Sequence, residues 1–130
     1  MKIYFYLFIS IFTINSLIAQ RDKDEVDPLF QSAFKKYEEK DYSGSYLEYS
    51  NYLAKKPKDG AAYYNRGLCA FELLDYKDGI TNYTKSISLG RKKADAFYSR
   101  GLCNYYLENY TLAIADFDTA ISLKTNYAIS

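Results

Sequence analysis

YNRGLC occupies residues 64–69 and YSRGLC occupies residues 98–103. The two hexapeptides lie 34 residues apart, and the echo runs well beyond them. With Gly67 set on Gly101, Tyr63 meets Phe97, Arg66 meets Arg100 and Cys69 meets Cys103. Further along, Tyr76 meets Tyr110, Ile80 meets Ile114, Tyr83 meets Phe117 and Ile87 meets Ile121. One more step back, Gly67 falls on Ala33, and Asp41-Tyr42 meets Asp75-Tyr76 and Asn109-Tyr110. Three units fit without insertion, at 26–59, 60–93 and 94–127. An echo that fills the whole period marks a structural repeat rather than a catalytic loop.

Each unit reads as two helices. AAYYNRGLCAFELL repeats apolar residues at three- and four-residue spacing, and KDGITNYTKSISL puts Ile80, Tyr83 and Ile87 on one face. The Asp-Tyr pair between them marks a break. The spacing predicts helices over 27–39, 43–55, 61–73, 77–89, 95–107 and 111–123. Gly79 inside a helix costs about 1 kcal/mol against Ala, which makes sense where two backbones approach closely. An amphipathic pair cannot bury its apolar face alone, so neighbouring units must stack.

A helix–turn–helix period of 34 residues resembles the tetratricopeptide repeat (TPR) family over residues 26–127. Small residues fall where that family packs helices closely: Ala33, Gly67 and Gly101 in the first helices, Ser45, Gly79 and Ala113 in the second. The large aromatic of the second helix is Tyr49, Tyr83 or Phe117. The sequence departs from the pattern in three places. The closing proline appears only as Pro57, the late small residue of unit one is Tyr52, and there is no Trp. The resemblance implies an all-α, right-handed solenoid of three units.

The chain opens MKIYFYLFISIFTINSLIAQ and then turns abruptly charged at RDKDE. Lys2, an apolar run and the small residue Ala19 are the layout of a secretory signal peptide, with cleavage expected between Ala19 and Gln20. The ending LIAQ resembles signal peptides of Bacteroidetes-type bacteria. Residues 20–25 are then a short linker and residues 128–130 the C-terminal end. The resulting expectation is export, to the periplasm or outside the cell. The alternative is an uncleaved anchor over residues 3–19, although the uninterrupted apolar run falls short of the ~20 residues a spanning helix needs. No cysteine follows the run, so lipoprotein modification is not expected.

Composition removes several function classes. The 130 residues carry 17 basic and 16 acidic groups, and residues 1–19 hold one of the basic ones, Lys2. Such a balance has no basic excess for nucleic acid. With no histidine, a His-based triad and His-containing zinc sites are excluded. Cys69 and Cys103 hold equivalent positions on stacked helices, whose axes lie about 8–10 Å apart. A disulfide wants closer Cα atoms, so two small buried thiols are expected. No metal, cofactor or catalytic group is expected. Asp116 and Asp118 read as solvated carboxylates, and Arg91-Lys92-Lys93 as a solvated turn.

In the family the first helices line a concave groove. Matching positions here are Phe30, Phe34 and Tyr37, then Tyr64, Leu68 and Phe71, then Tyr98, Leu102, Tyr105 and Tyr106, with Asn65 adjacent. Acidic edges come from Asp27, Glu38, Glu72 and Asp95. Chaperone-binding members grip a terminal carboxylate with groove Lys, Asn and Arg. Asn65 is the sole match to that set, because Phe30, Phe34, Asp95 and Ser99 stand at the other places. The resemblance therefore implies a non-catalytic scaffold that binds an apolar helical or extended segment of another protein. A module for a glycan or envelope polymer, or an enzyme accessory, is the rival. The last helix, with Leu112, Ile114 and Ile121, has no polar helix after it. It is expected to meet a second copy or a larger partner, or to continue into further repeats of a longer protein.

Overall fold

Aspartates start the first four helices. In the computed structural model, which describes residues 26–91 and 93–128, six α-helices follow one another. They are α1 (Pro28–Glu38), α2 (Tyr42–Lys55), α3 (Gly60–Glu72), α4 (Tyr76–Ser88), α5 (Ala94–Tyr106) and α6 (Tyr110–Ala128). Asp27 accepts from the Leu29 amide at 2.9 Å, and Asp41 from that of Gly44 at 3.0 Å. Asp59 accepts from both Ala61 and Ala62, and Asp75 from Asp78. Each carboxylate satisfies amides that the first turn leaves without a partner. The signal-peptide, linker and Lys92 readings, and the last two residues, lie outside the described residues.

The sequence-predicted helices match to within one residue except at the C-terminus, where α6 runs on to Ala128. The turn inside each unit is the same device three times. Lys40, Leu74 and Glu108 take positive φ (63°, 63° and 62°). The next amide then bonds back to a carbonyl five residues earlier, as Asp75 does to Ala70 at 2.9 Å. This closes the helix end and reverses the chain.

The helices α1, α3 and α5 form one layer, each touching the next, while α2, α4 and α6 form the second layer. Each helix of the first layer packs against its own unit's second helix and, in units two and three, the preceding unit's second helix. The described residues therefore build an all-α, right-handed solenoid of helix–turn–helix units. Close approach explains the small residues. A Cβ on Gly67 would lie 2.8 Å from the Tyr83 ring, and one on Gly101 would lie 2.7 Å from Phe117. Tyr49 and Tyr83 fill the core almost without exposure. Tyr52, the large residue where the family has a small one, is also buried, and its hydroxyl donates to Asp59 at 2.7 Å.

Both thiols are free and buried. Cys69 donates to the Ser45 hydroxyl at 3.2 Å, and Ser45 donates to the Ala33 carbonyl at 2.7 Å. Cys103 faces Gly79 instead, where a Cβ would lie 2.9 Å from its sulfur. Burial pushes its thiol up to about 12.

Two expectations are corrected. Asp116 is not solvated; it is 6% exposed. Arg100 grips it through Nη2 at 2.7 Å and Nε at 2.9 Å, which compensates a carboxylate removed from water. Asp118 does stay exposed. Arg91 is not a solvated turn residue either. Its guanidinium lies 4.2 Å from the centre of the Tyr64 ring and donates to Asp95 at 2.9 Å.

Candidate functional site

The aromatic positions of the first helices fall at i, i+4 and i+7, so each helix presents one line of them. The structure divides the eleven expected site residues into those that stiffen the frame and those that meet solvent. Phe30 packs edge-on against both Tyr49 and Tyr52, with ring centres 5.3 Å apart in each case. Tyr64 lies between Tyr83 and the Arg91 guanidinium. Burial raises its hydroxyl above the ordinary tyrosine value. Asn65 donates to the Tyr49 hydroxyl at 3.1 Å, so one of its donors already serves the frame. Leu68 and Leu102 are partly buried.

The solvent-facing set is smaller. Phe34, Tyr98, Tyr105 and Tyr106 are 49%, 52%, 53% and 53% exposed. Tyr37 is partly buried, and its hydroxyl is pushed up to about 12 by desolvation first and the nearby Glu72 carboxylate second. Phe71 packs edge-on against both Tyr76 and Tyr106, and Tyr76 stacks on Tyr106 with ring centres 4.9 Å apart. Tyr98, Tyr105 and Tyr106 therefore rest on other rings, which limits the rotamer freedom that binding would otherwise have to remove.

Sequence reasoning missed part of this surface. Tyr37–Tyr42, Phe71–Tyr76 and Tyr105–Tyr110 form the same edge-to-face pair in each unit, at 5.3, 5.5 and 5.7 Å. The second member of each pair was visible as the 34-residue recurrence of Tyr42, Tyr76 and Tyr110. It had been read only as a mark of the period. Arg91 was also missed, and only its proximity to Asp95 on a helical spacing hinted at its pairing.

The C-terminal unit offers a second surface. A cleft of about 330 Å³ opens between α5 and α6, lined by Asp95, Tyr98, Phe117, Ile121 and Lys124 among others. The outer side of α6 carries Leu112, Ile114 and Ile121, each about 60% exposed. No group of three or more Cys, Asp or Glu side chains among the described residues is arranged to hold a metal ion. No described helix is long and apolar enough to cross a membrane.

No family model matches the sequence, and no curated protein does. Solved structures do match. The second TPR of Spaghetti (RPAP3), bound to the HSP90 peptide SRMEEVD, superposes with a TM-score of 0.73 at 22% identity, covering 81% of this chain and 97% of that one. The TPR2B domain of yeast Sti1, in a complex with pHsp70, gives 0.72 at 16% identity over 75% of this chain and 78% of that one. MamA from Desulfovibrio magneticus RS-1 gives 0.68 at 20% identity, over 75% of this chain and 57% of that one. At these identities the likeness concerns backbone architecture, and that architecture is the TPR-like α-solenoid which the repeat period led one to expect.

Proposed function

We propose that this chain is a non-catalytic protein-interaction scaffold whose first helices hold an apolar segment of a partner protein. The observation that carries the reading is the set of half-exposed rings, Phe34, Tyr98, Tyr105 and Tyr106, on the helices that form one continuous layer. Large rings with few rotatable bonds, held by neighbouring rings, suit recognition. Two structural neighbours are bound to chaperone ligands, one to the HSP90 peptide SRMEEVD and one in a complex with pHsp70, which supports a protein ligand for the shared architecture.

The ligand proposed here differs in charge from the acidic HSP90 peptide. Asn65 donates to Tyr49 and Asp95 accepts from Arg91, and the eleven groove positions named above include no lysine or arginine for a terminal carboxylate. The layout of residues 1–19 supports export, so the proposed setting is the bacterial cell envelope, in the periplasm or outside. An anchor over residues 3–19 would hold the same scaffold at the membrane.

Affinity capture from envelope extract tests this, with the chain run beside a Phe34→Ser/Tyr105→Ser variant. Both substituted positions are exposed, so the variant keeps its fold. A protein retained by the first and lost by the second supports the reading. Equal retention by both moves binding off this face. A retained polysaccharide, lost in the variant, turns the scaffold into a glycan-binding module.

A further inference from the structure

The chain contains its own template for what covers α6. Units two and three are equivalent at an offset of 34 residues, so α6 corresponds to α4. In unit two, α5 covers α4. Arg100 reaches back across that interface and donates through Nη1 to the Thr84 hydroxyl at 3.2 Å. Arg66 does the same one unit earlier, donating to the Ser50 hydroxyl at 3.2 Å. The position after Ser50 and Thr84 in this series is Asp118 on α6, and it is exposed. Where two units offer a hydroxyl to an incoming arginine, the third offers a carboxylate.

The surroundings follow the same correspondence. Ile80 and Ile87 on α4 are partly buried, whereas their equivalents Ile114 and Ile121 are 59% and 61% exposed. In unit two the Arg91 guanidinium covers the ring of Tyr64. Its equivalent position holds Thr125, whose hydroxyl donates to the Ile121 carbonyl at 3.1 Å within α6. The ring of Tyr98 is left open to the cleft, with Lys124 at the rim. An incoming segment shaped like residues 91–103 would place one arginine over Tyr98 and a second against Asp118.

We propose that the outward face of α6 docks a helix from a partner protein that carries an arginine opposite Asp118, in the register in which α5 covers α4. A second copy fits this face less well. Head to tail, α1 would bring Ser32 to Asp118, and Lys35 to the place that the buried Cys103 occupies in α5. Two-fold and antiparallel, Ile114 would meet Ile121 of the other copy, and the two Asp118 carboxylates would lie beside the axis and repel. The arginine-bearing helix has neither conflict, and its charge complements the face.

A labelled peptide of residues 90–106, with Cys103→Ser to prevent oxidation, is the probe, and fluorescence anisotropy with the chain is the readout. The expected result is saturable binding that Asp118→Lys weakens by about fivefold, the scale of a partly exposed charge pair. A peptide with Arg100→Glu should then bind the Asp118→Lys chain better than the native peptide does. Circular dichroism checks that the variant, altered at an exposed position, keeps its helices. Absence of binding overturns the proposal, as does binding indifferent to Asp118→Lys. Binding that survives Asp118→Lys but is lost in Phe34→Ser/Tyr105→Ser places the peptide on the other face and also overturns it. Sedimentation supplies the remaining arm. A dimer of the chain that Ile114→Asp dissociates would assign the face to a second copy.

Discussion

Units two and three share nearly every packing position, and they differ where one is enclosed and the other is open. Arg66 donates to a neutral amide, Asn82, at 2.7 Å, while Arg100 donates to a carboxylate, Asp116. Cys69 faces a serine hydroxyl, while Cys103 faces a glycine. Tyr64 is covered by Arg91, while Tyr98 is half open. The repeat period fixes the backbone; the side-chain partners differ by local substitution, inside the same unit for Arg66, Arg100 and Tyr64 and in the preceding unit for Cys69 and Cys103. That is the behaviour of a quasi-one-dimensional solenoid, where each unit contacts only its neighbours.

The largest expected effect tests the arginine pair. Arg100→Ala leaves the nearly buried Asp116 carboxylate without its counter-charge, with only the long 3.5 Å contact from Asn104 Nδ2 among the described residues, and should cost about 3–5 kcal/mol in urea unfolding. Arg66→Ala leaves a neutral amide and should cost about 1–2 kcal/mol. Asp116→Asn makes unit three resemble unit two, and in that background Arg100→Ala should fall to the smaller cost. If the two arginines cost the same in the native background, the contrast between the units is wrong. Next come the glycines. Gly67→Ala and Gly101→Ala each drive a Cβ into a ring, an overpacking worth about 1–3 kcal/mol. Gly67 is held by units on both sides, so its cost should lie at the upper end. Phe117 can yield toward the open side of α6, so Gly101 should lie at the lower end. A reversed order in thermal melts would break the comparison.

How much of this was legible in the sequence follows from the same contrast. The 34-residue echo located six helices to within a residue at all but one boundary, because apolar spacing recurs in each unit and agrees with aspartate caps at the first four helix starts and with the repeated turn inside each unit. The end of α6 was misplaced because the predicted stop copied α4, which has a turn glycine, Gly90, at φ 94°. Lys124 stands at that position in unit three, and α6 continues past it. Asp116 was misread because spacing two apart from Asp118 puts the residues on different faces without saying which face is buried. Only the reach of Arg100 from α5 to α6 within unit three decides that. The aromatic positions of the first helices are legible in the repeat, yet the division into frame and solvent-facing rings depends on Arg91, Tyr52 and Tyr76 folding over their neighbours.

Smaller effects sharpen the cysteine contrast. The Cys103 thiol ionises near its ordinary value of 9.0 when unfolded, but holds its proton until about 12 when folded. Above 9 the unfolded state therefore binds fewer protons, and stability should fall as pH rises toward 12. Cys69 is shifted in the same direction by burial, opposed by its hydrogen bond with Ser45. Cys103→Ala should flatten the alkaline decline more than Cys69→Ala does, in unfolding followed between pH 8 and 11. The smallest effect concerns Tyr83, whose buried hydroxyl has no hydrogen-bond partner among the described residues. Tyr83→Phe copies Phe117 of unit three and should leave stability unchanged or raise it by up to about 1 kcal/mol. A clear loss would reveal a partner for that hydroxyl.

The claim that the exposed rings of the first helices receive a partner protein is tested most directly by site-specific photo-crosslinking in cells. A photoreactive phenylalanine analogue would replace Phe34, Tyr98 or Tyr105 on that layer, Ile114 on the open end, or Leu47 on the second layer. Leu47 is 61% exposed and serves as the control. The account predicts one shared protein adduct from Phe34, Tyr98 and Tyr105 that Leu47 does not give. Adducts from Leu47 alone, or equal adducts from all positions, would contradict it.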